Sequence, residues 1–300
     1  MMMLRRRTFI AAGPVVALAQ QPQPQDPPFV LPESVEMRKG VEYARYGPRA
    51  MHLDLFLPKQ RATAPMPAVI YVHGGGWRNG SPAAFHRQAA HMATLGFAGA
   101  CIEYRLSGEA TWPAAIHDAK AAVRWVRSQA KDLGIDPRRI GAAGGSAGGH
   151  LVALLGTTAH RRDLEGEGGN AAQSSQVRAV AAFNPAVDLV AFGKQTAASI
   201  DNSVVSFLGK PYAADPALWE LATPITHVSK DSAAFLFLHG DPDTTVPIQQ
   251  SKDMMAKLKQ AGVRADLFTA EGAAHGFFNR PPWYQPTLAR MAGFFAITLR

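Results

Sequence analysis

The sequence predicts an α/β domain whose mostly parallel sheet is covered by helices on both faces. Short apolar runs such as PAVIYV and AAFLFL alternate along the chain with longer segments that repeat apolar residues every three or four positions. The runs are continuously apolar, which is typical of parallel strands buried on both faces. A chain of 300 residues with 47% hydrophobic residues is also long enough to bury a sizeable core.

The elements follow in a regular order. Candidate strands are MHLDLFLP, PAVIYVHGG, FAGACIEYR, RIGAAGG, VRAVAAFNP, AAFLFLHGD and RADLFTAEG. MHLDLFLP alternates apolar and polar residues, which predicts an edge strand. Helices are predicted from WPAAIHD, SAGGHLV, IQQSKDM and PTLARMA onward. Pro113 suits the first turn of the first helix, and Gly134 suits its end.

Residues 186–232 interrupt this alternation, because they are too long for a simple crossover between two strands. They carry PALWELATP and several prolines and glycines. We expect a partly helical insertion over one edge of a site. A surface excursion without a role in binding is the alternative.

The N-terminal segment differs in composition from the rest. MMMLRRRTFI is basic, the short apolar run IAAGPVVALA follows, and the run ends in the small-x-small pattern ALA. We predict an export signal at residues 1–19 with cleavage after Ala19, and RRTFI resembles the twin-arginine type. An uncleaved anchor or a chance basic start is the alternative. Residues 20–34 are rich in proline and glutamine and predict an extended linker, so the domain is expected at 35–300.

Charge and cysteine content exclude several classes of function. The formal net charge is +8, but beyond the N-terminus the basic residues are scattered among acids, so no nucleic-acid-binding face is predicted. No later segment has the length and polarity of a membrane helix. Cys101 is the one cysteine and lies in an apolar run, which favours a small buried hydrophobe. The histidines at 86, 91 and 117 have no partner at metal-ligand spacing, so no metal site is expected.

The segment Gly144-Gly145-Ser146-Ala147-Gly148 lies between a predicted strand and a predicted helix. This is the setting of a nucleophile elbow, in which a tight, strained turn exposes the serine Oγ. A glycine-rich phosphate loop or a helix cap is the alternative. A phosphate loop would need a lysine directly after the glycines, and this segment has none.

The segment HGGGW follows the strand PAVIYV and predicts an oxyanion hole. We assign the backbone N–H groups of Gly75 and Gly76 as donors from this loop, with the N–H of Ala147 as the third. Trp77 is predicted to wall the substrate pocket. His73 is expected to bond the loop backbone rather than to take part in chemistry.

Two acids, Asp241 and Asp243, follow the buried strand AAFLFLHG. We assign Asp243 as the carboxylate that orients a base, because it directly precedes TTVP and the next helix, and Asp241 as a turn former. His275, in the loop after the last strand, is the predicted base. The order Ser146, Asp243, His275 along the chain is that of a nucleophile–acid–base triad at one edge of a parallel sheet.

These motifs resemble those of α/β-hydrolases of the esterase/lipase group with an HGGG loop. The stretch from YRLSGEATWP to GGSAGGH is very similar to the feruloyl and acetylxylan esterase-like branch, BD-FAE, and the resemblance extends from about residue 35 to the C-terminus. It implies an α/β-hydrolase fold with an eight-stranded, mostly parallel sheet. It also implies a serine carboxylic ester hydrolase without metal or organic cofactor.

From this resemblance we expect an exported carboxylesterase, periplasmic or extracellular, that cleaves short-acyl or plant-cell-wall esters. The sequence does not distinguish an acetyl, a feruloyl or a longer acyl group, and the substrate would be a small molecule or a polysaccharide-linked ester. The insertion at 186–232 is the expected source of specificity. An arylformamidase- or peptidase-like hydrolase, or a non-catalytic binding protein on the same fold, is the alternative.

Overall fold

One sheet of eight strands forms the centre of the computed structural model, which describes residues 29–60, 62–194 and 202–299. The strands are β1 (Val35–Tyr46), β2 (Arg49–Pro58), β3 (Met66–Val72), β4 (Ala98–Ile102), β5 (Ile135–Gly145), β6 (Ala179–Phe183), β7 (Ala234–Gly240) and β8 (Ala265–Ala270). Their order across the sheet is β1-β2-β4-β3-β5-β6-β7-β8. β2 pairs antiparallel with β1 and β4, and all other neighbours pair in parallel. The predicted eight-stranded, mostly parallel sheet is confirmed.

Helices connect the strands and cover both faces of the sheet. The α-helices in the described residues are α1 (His86–Thr94), α2 (Ala114–Ser128), α3 (Ala130–Leu133), α4 (Ala147–Thr157), α5 (Leu189–Lys194), α6 (Asn202–Leu208), α7 (Pro216–Leu221), α8 (Gln249–Gln260) and α9 (Tyr284–Thr298). Short 3-10 helices lie at Pro82–Phe85, Arg162–Leu164, Tyr212–Ala214, Pro224–His227 and Phe277–Asn279. Gly134 adopts the left-handed conformation, with φ of 69°, at the end of α3, as its position in the sequence predicts.

The core is divided by the sheet into two hydrophobic clusters. Successive side chains of a strand point to opposite faces, so Val69 and Tyr71 of β3 pack with α1 and α9, whereas Ile70 and Val72 pack with α2, α4 and α8. Both faces of the central strands are therefore buried from solvent, which explains their continuous apolar sequences. Cys101 is fully buried among these side chains.

The sequence prediction was wrong about the edge of the sheet. β2, predicted at the edge, is paired on both sides, and the edge strand is β1. The pairing of β1 with β2 shifts between Arg38 and Val41 and again between Glu42 and Ala44. At each irregularity the alternation of core-facing and solvent-facing side chains is interrupted. The sequence of β1 therefore lacks the apolar–polar alternation by which a strand is recognised.

Parts of the predicted organisation lie outside the described residues. These are the export signal at residues 1–19, most of the linker, and residues 195–201 of the insertion. The described end of the linker contacts the domain, since the ring of Phe29 lies 5.5 Å from that of His86. In the ranges that are described, no helix combines the length and apolar character needed to cross a membrane.

The parallel strands β3, β5, β6, β7 and β8 all end at the same edge of the sheet. The loops that follow them therefore meet in one place, which is where open α/β sheets bind their ligands. Every predicted site residue lies in one of these loops or in the first turn of α4.

Candidate active site

Ser146 occupies a strained turn between β5 and α4. Its φ of 54° and ψ of −118° lie outside the regions that L-residues usually adopt, at a typical cost of about 1–3 kcal/mol. Two hydrogen bonds hold this backbone. The N–H of Ser146 donates to the carbonyl of Phe183 at 2.9 Å, and its carbonyl accepts from the N–H of His150 at 2.9 Å.

The glycines around Ser146 allow backbone segments to approach one another. A Cβ at Gly148 would overlap the carbonyl oxygen of Val72 at the end of β3. A Cβ at Gly144 would lie 2.5 Å from the carbonyl oxygen of Gly148. The start of α4 can therefore pack directly on the sheet. The Ser146 side chain does not cap this helix, which argues against the helix-cap alternative.

Ser146, His275 and Asp243 are joined by two hydrogen bonds. The Nε2 atom of His275 lies 2.9 Å from Oγ of Ser146, and its Nδ1 atom lies 2.7 Å from Oδ2 of Asp243. An ionised carboxylate can only accept, so Nδ1 carries the proton and Nε2 presents its lone pair to the serine hydroxyl. The structure thus brings together three residues that are far apart in the sequence, in the arrangement that nucleophilic catalysis by serine requires.

The two candidate acids have different surroundings. Asp243 is buried, and its Oδ1 atom accepts hydrogen bonds of 2.9 Å from the N–H groups of Thr245 and Val246. Asp241 is exposed, and its Oδ1 atom accepts from the N–H of Gly272 at 2.6 Å. Asp241 therefore closes a turn between two loops, whereas Asp243 faces the imidazole.

His239, at the end of β7, supports the buried carboxylate and was missed by the sequence analysis. Its Nδ1 atom lies 2.8 Å from the hydroxyl of Ser251, its Nε2 atom lies 2.8 Å from the carbonyl of Val246, and Nε2 is also 3.4 Å from Oδ2 of Asp243. Burial opposes ionisation of Asp243, but the hydrogen bonds from His239, His275 and the Val246 N–H outweigh it. They hold the pKa of Asp243 well below its usual range.

The HGGGW loop lies beside the elbow and presents free backbone donors. Gly75 and Gly76 have φ of 111° and 59°, and no described group accepts a hydrogen bond from the N–H of either residue. A Cβ at Gly74 would lie 2.8 Å from the carbonyl oxygen of Gly145, so the loop packs closely on the elbow. Ala147 is the first residue of α4, where an N–H has no acceptor within the helix. The arrangement is suited to binding an anion.

His73 stabilises this loop from behind. Its Nδ1 atom lies 2.8 Å from the carbonyl oxygen of Gly74, and its ring stacks on Tyr104 with centroids 4.4 Å apart. The Tyr104 hydroxyl in turn donates to the carbonyl of His73 at 3.1 Å. Burial lowers the pKa of His73, so the ring is neutral near pH 7.

Trp77 and His150 connect the insertion to the HGGGW loop and to the start of α4. The Trp77 ring stacks on Phe207 of α6 with centroids 4.6 Å apart, and its Nε1–H donates to Nδ1 of His150 at 3.3 Å. The Nε2 atom of His150 lies 2.7 Å from the carbonyl of Ala222, just after α7. Burial lowers the pKa of His150 to about 4, so this bridge is uncharged at neutral pH. Trp77 lines the cavity but is only 3% exposed, so most of its ring packs on protein.

A cavity of about 1000 Å³ opens above Ser146 and His275. Its apolar wall includes Phe85 and Phe278. The insertion supplies Phe192 of α5 and Ser203 and Val204 of α6. Further polar side chains at the cavity are Asn79, Asn184, Thr244, Thr245 and Asn279. The insertion therefore supplies part of the cavity wall.

The chain matches the model of a known protein family. The model of the BD-FAE family matches residues 53–258, which includes the HGGGW loop, the elbow and Asp243. The chain belongs to the BD-FAE family. This confirms the resemblance found in the sequence.

Curated relatives of this BD-FAE protein are named as ester hydrolases. The probable carboxylic ester hydrolase LipM of Mycobacterium tuberculosis is 33% identical over 226 residues, covering 73% of this chain and 51% of LipM. Esterase LipQ of the same organism is 32% identical over 243 residues, covering 78% of this chain and 56% of LipQ. The BD-FAE chain thus spans about half the length of these relatives.

Solved structures of similar proteins confirm the α/β-hydrolase fold of this BD-FAE chain. A truncated carbohydrate esterase from gut microbiota superposes with a TM-score of 0.74 at 31% identity, over 88% of this chain and 96% of the esterase. The thermophilic esterase Est2 of Thermogutta terrifontis superposes with a TM-score of 0.75 at 31% identity, over 88% and 92% of the two chains. Both neighbours match this chain over almost their whole length.

Proposed function

We propose that the protein is an exported serine carboxylesterase that hydrolyses short-acyl or plant-cell-wall esters through an acyl-enzyme. The observation that carries this proposal is the pair of hydrogen bonds from Asp243 through His275 to Ser146, at the floor of a large cavity. In this proposal Ser146 is the nucleophile, His275 the general base and Asp243 the residue that orients and stabilises the imidazole.

Acylation begins when Nε2 of His275 takes the proton of Ser146 as Oγ attacks the ester carbonyl carbon. The bond from Oγ to carbon forms, and the carbonyl π electrons move to oxygen. His275, now positively charged, is stabilised by Asp243 through the Nδ1–H bond. Its Nε2–H then protonates the alkoxy oxygen as the bond from that oxygen to carbon breaks, and the alcohol leaves.

The developing oxyanion is bound by backbone donors. We assign this role to the N–H groups of Gly75, Gly76 and Ala147, which lie beside Ser146 in the chain fold and donate to no backbone acceptor in the described residues. A preorganised donor of this kind typically lowers the barrier by about 3 kcal/mol. The N-terminal end of α4 adds a positive potential at the same place.

The composition of the cavity wall supports an ester that joins an acyl group to a polar alcohol. Phe85, Phe192 and Phe278 offer apolar surface to the acyl group, whereas the asparagines at 79, 184 and 279 and the threonines at 244 and 245 offer hydrogen bonds that sugar hydroxyls can use. The structures of similar proteins agree with this choice, since one is a carbohydrate esterase and Est2 has been solved with propionate and with butyrate bound.

The test is a series of p-nitrophenyl esters from acetate to decanoate, with the Ser146→Ala variant beside the wild type. We expect the highest kcat/KM at acetate or butyrate, followed by turnover of acetylated xylan or methyl ferulate. Failure of all esters, with hydrolysis of an aryl formamide or a peptide amide instead, would replace this proposal with the formamidase or peptidase alternative.

Export of the protein is supported by the basic residues, apolar run and ALA cleavage pattern at residues 1–19. The protein isolated from the periplasm or medium of its source is expected to begin at Gln20. N-terminal sequencing or intact-mass measurement checks this, and a protein that keeps Met1 in the cytoplasmic fraction would contradict export.

A further inference from the structure

Asn184 is held in an unusual position directly after β6. Its φ is 36°, it is fully buried, and its N–H donates to the carbonyl of Leu238 in the neighbouring strand at 2.8 Å. Asparagine adopts positive φ more readily than most residues, because its short polar side chain tolerates this backbone. The strand end therefore presents an amide side chain in a fixed direction.

The side chain of Asn184 points at the catalytic histidine. Its Nδ2 atom lies 3.3 Å from Nε2 of His275, and the residue lines the same cavity as Ser146. Its Oδ1 atom is buried and has no hydrogen-bond partner within the described part of the chain. A buried amide oxygen without a partner is energetically unfavourable, so such an atom beside reacting groups points to a partner that arrives during the reaction.

The position of the Asn184 side chain is not explained by a role in orienting His275. The imidazole is already fixed by Asp243 through Nδ1 at 2.7 Å, and its Nε2 lone pair is used by Ser146 at 2.9 Å. An amide N–H directed at the same lone pair competes with the serine hydroxyl. During acylation, therefore, Asn184 offers no needed hydrogen bond, and its role belongs to the second half of the reaction.

We propose that Asn184 is the positioning residue for the water that hydrolyses the acyl-enzyme, an inference that rests on the proposed function. Water has two O–H bonds. One must point at Nε2 of His275, and the other needs an acceptor if the oxygen lone pair is to face the acyl carbon. We assign this second bond to Oδ1 of Asn184, because it has no partner in the described residues and belongs to the same amide group as the Nδ2 atom 3.3 Å from Nε2.

Hydrolysis of the acyl-enzyme uses one water molecule. The water oxygen forms a bond to the acyl carbon while its first O–H bond breaks and the proton passes to Nε2 of His275. The carbonyl π electrons move to oxygen, and the N–H groups of Gly75, Gly76 and Ala147 bind the resulting oxyanion. The bond from carbon to Oγ of Ser146 then breaks, Nε2 returns the proton to Oγ, and the carboxylic acid leaves. The proton bonded to Oδ1 of Asn184 is never transferred.

The test measures the two half-reactions separately with p-nitrophenyl acetate in Asn184→Gly. Glycine removes the amide and tolerates the positive φ. We expect kcat to fall about tenfold, the change for one lost hydrogen bond, with kcat/KM within about twofold of wild type and a larger burst of p-nitrophenol in stopped flow. The matched control is Asn170→Gly, since Asn170 also has positive φ, at 52°, but is exposed and outside the cavity. Its kinetics should equal those of wild type.

Partition between water and methanol gives a second, independent measure. Methanol has one O–H bond, so its attack on the acyl-enzyme needs Nε2 but not Oδ1. We expect the ratio of methyl acetate to acetate at fixed methanol to rise about tenfold in Asn184→Gly. In Asn184→Asp, which keeps an acceptor oxygen, the ratio should stay near that of wild type. If the glycine variant does not fold, Asn184→Ala, which also removes the amide, takes its place in both measurements.

The outcomes separate this inference from the proposed function. An equal fall in kcat and kcat/KM for Asn184→Gly, with an unchanged methanol ratio, would overturn it and make Asn184 a support for His275 alone. A raised ratio in Asn184→Asp would also overturn it. If the wild-type protein hydrolyses no ester, the proposed function itself is contradicted, and this result is known before any variant is compared.

Discussion

Replacing Ser146 with alanine is expected to lower kcat for p-nitrophenyl acetate by about 10⁶-fold, the effect typical of a lost serine nucleophile. Without Oγ, Nε2 of His275 has no hydroxyl to deprotonate within 2.9 Å, and no acyl-enzyme can form. The proposed oxyanion donors in the Gly75–Gly76 loop remain, so a residual rate of about 10³–10⁴-fold over water is the expected minimum. The measurement is single-turnover release of p-nitrophenol by highly purified protein.

The control variant is Ser203→Ala, because Ser203 is another serine that lines the cavity. A Cβ at Gly76 would lie 3.4 Å from Cβ of Ser203, so this serine belongs to the wall over the loop. Its removal should change kcat by only a few-fold. A fluorophosphonate probe should add mass to the peptide containing Ser146 in wild type and in Ser203→Ala, but not in Ser146→Ala. Activity above about 1% in Ser146→Ala, or labelling elsewhere, would contradict the assignment.

The sequence predicts those parts of this molecule that depend on local chemistry. Continuous apolar runs marked the strands buried on both faces, and residues that directly follow such strands were assigned to the site. The rule works because parallel strands end at one edge of the sheet, so Ser146 and Asp243, distant in the chain, lie close in space. The choice of Asp243 over Asp241 used the same local context.

Features that depend on three-dimensional neighbours were missed. Asn184 follows β6 as Asp243 follows β7, but the dipeptide NP after an apolar run is also typical of a turn, so its nearness to His275 could not be inferred. The role of His239 depends on the loop at Val246 folding back over it. β1 was missed because its two register shifts remove the alternating pattern. In each case the missing information was a contact between segments.

Replacing Asp243 with asparagine is expected to lower kcat by about 10⁴-fold while leaving the protein folded. The surroundings determine how the new amide is oriented. The N–H groups of Thr245 and Val246, each 2.9 Å from Oδ1, require an acceptor, so the amide oxygen takes that place. The amide NH₂ then occupies the position of Oδ2 and donates to Nδ1 of His275. The imidazole proton moves to Nε2. Because Nε2 is then protonated, it can no longer accept the proton of Ser146.

The matched control is Asp241→Asn, two residues away and bound to the N–H of Gly272 through Oδ1 alone. Its amide oxygen can keep that bond, so kcat should stay within about threefold of wild type. Thermal unfolding and the pH dependence of kcat for both variants separate misfolding from a wrong tautomer. Similar losses in the two variants would mean that the loop, rather than the Asp243 carboxylate, controls the rate. A large loss confined to Asp243→Asn requires a carboxylate at this position, because the two changes are chemically identical and only one faces the imidazole.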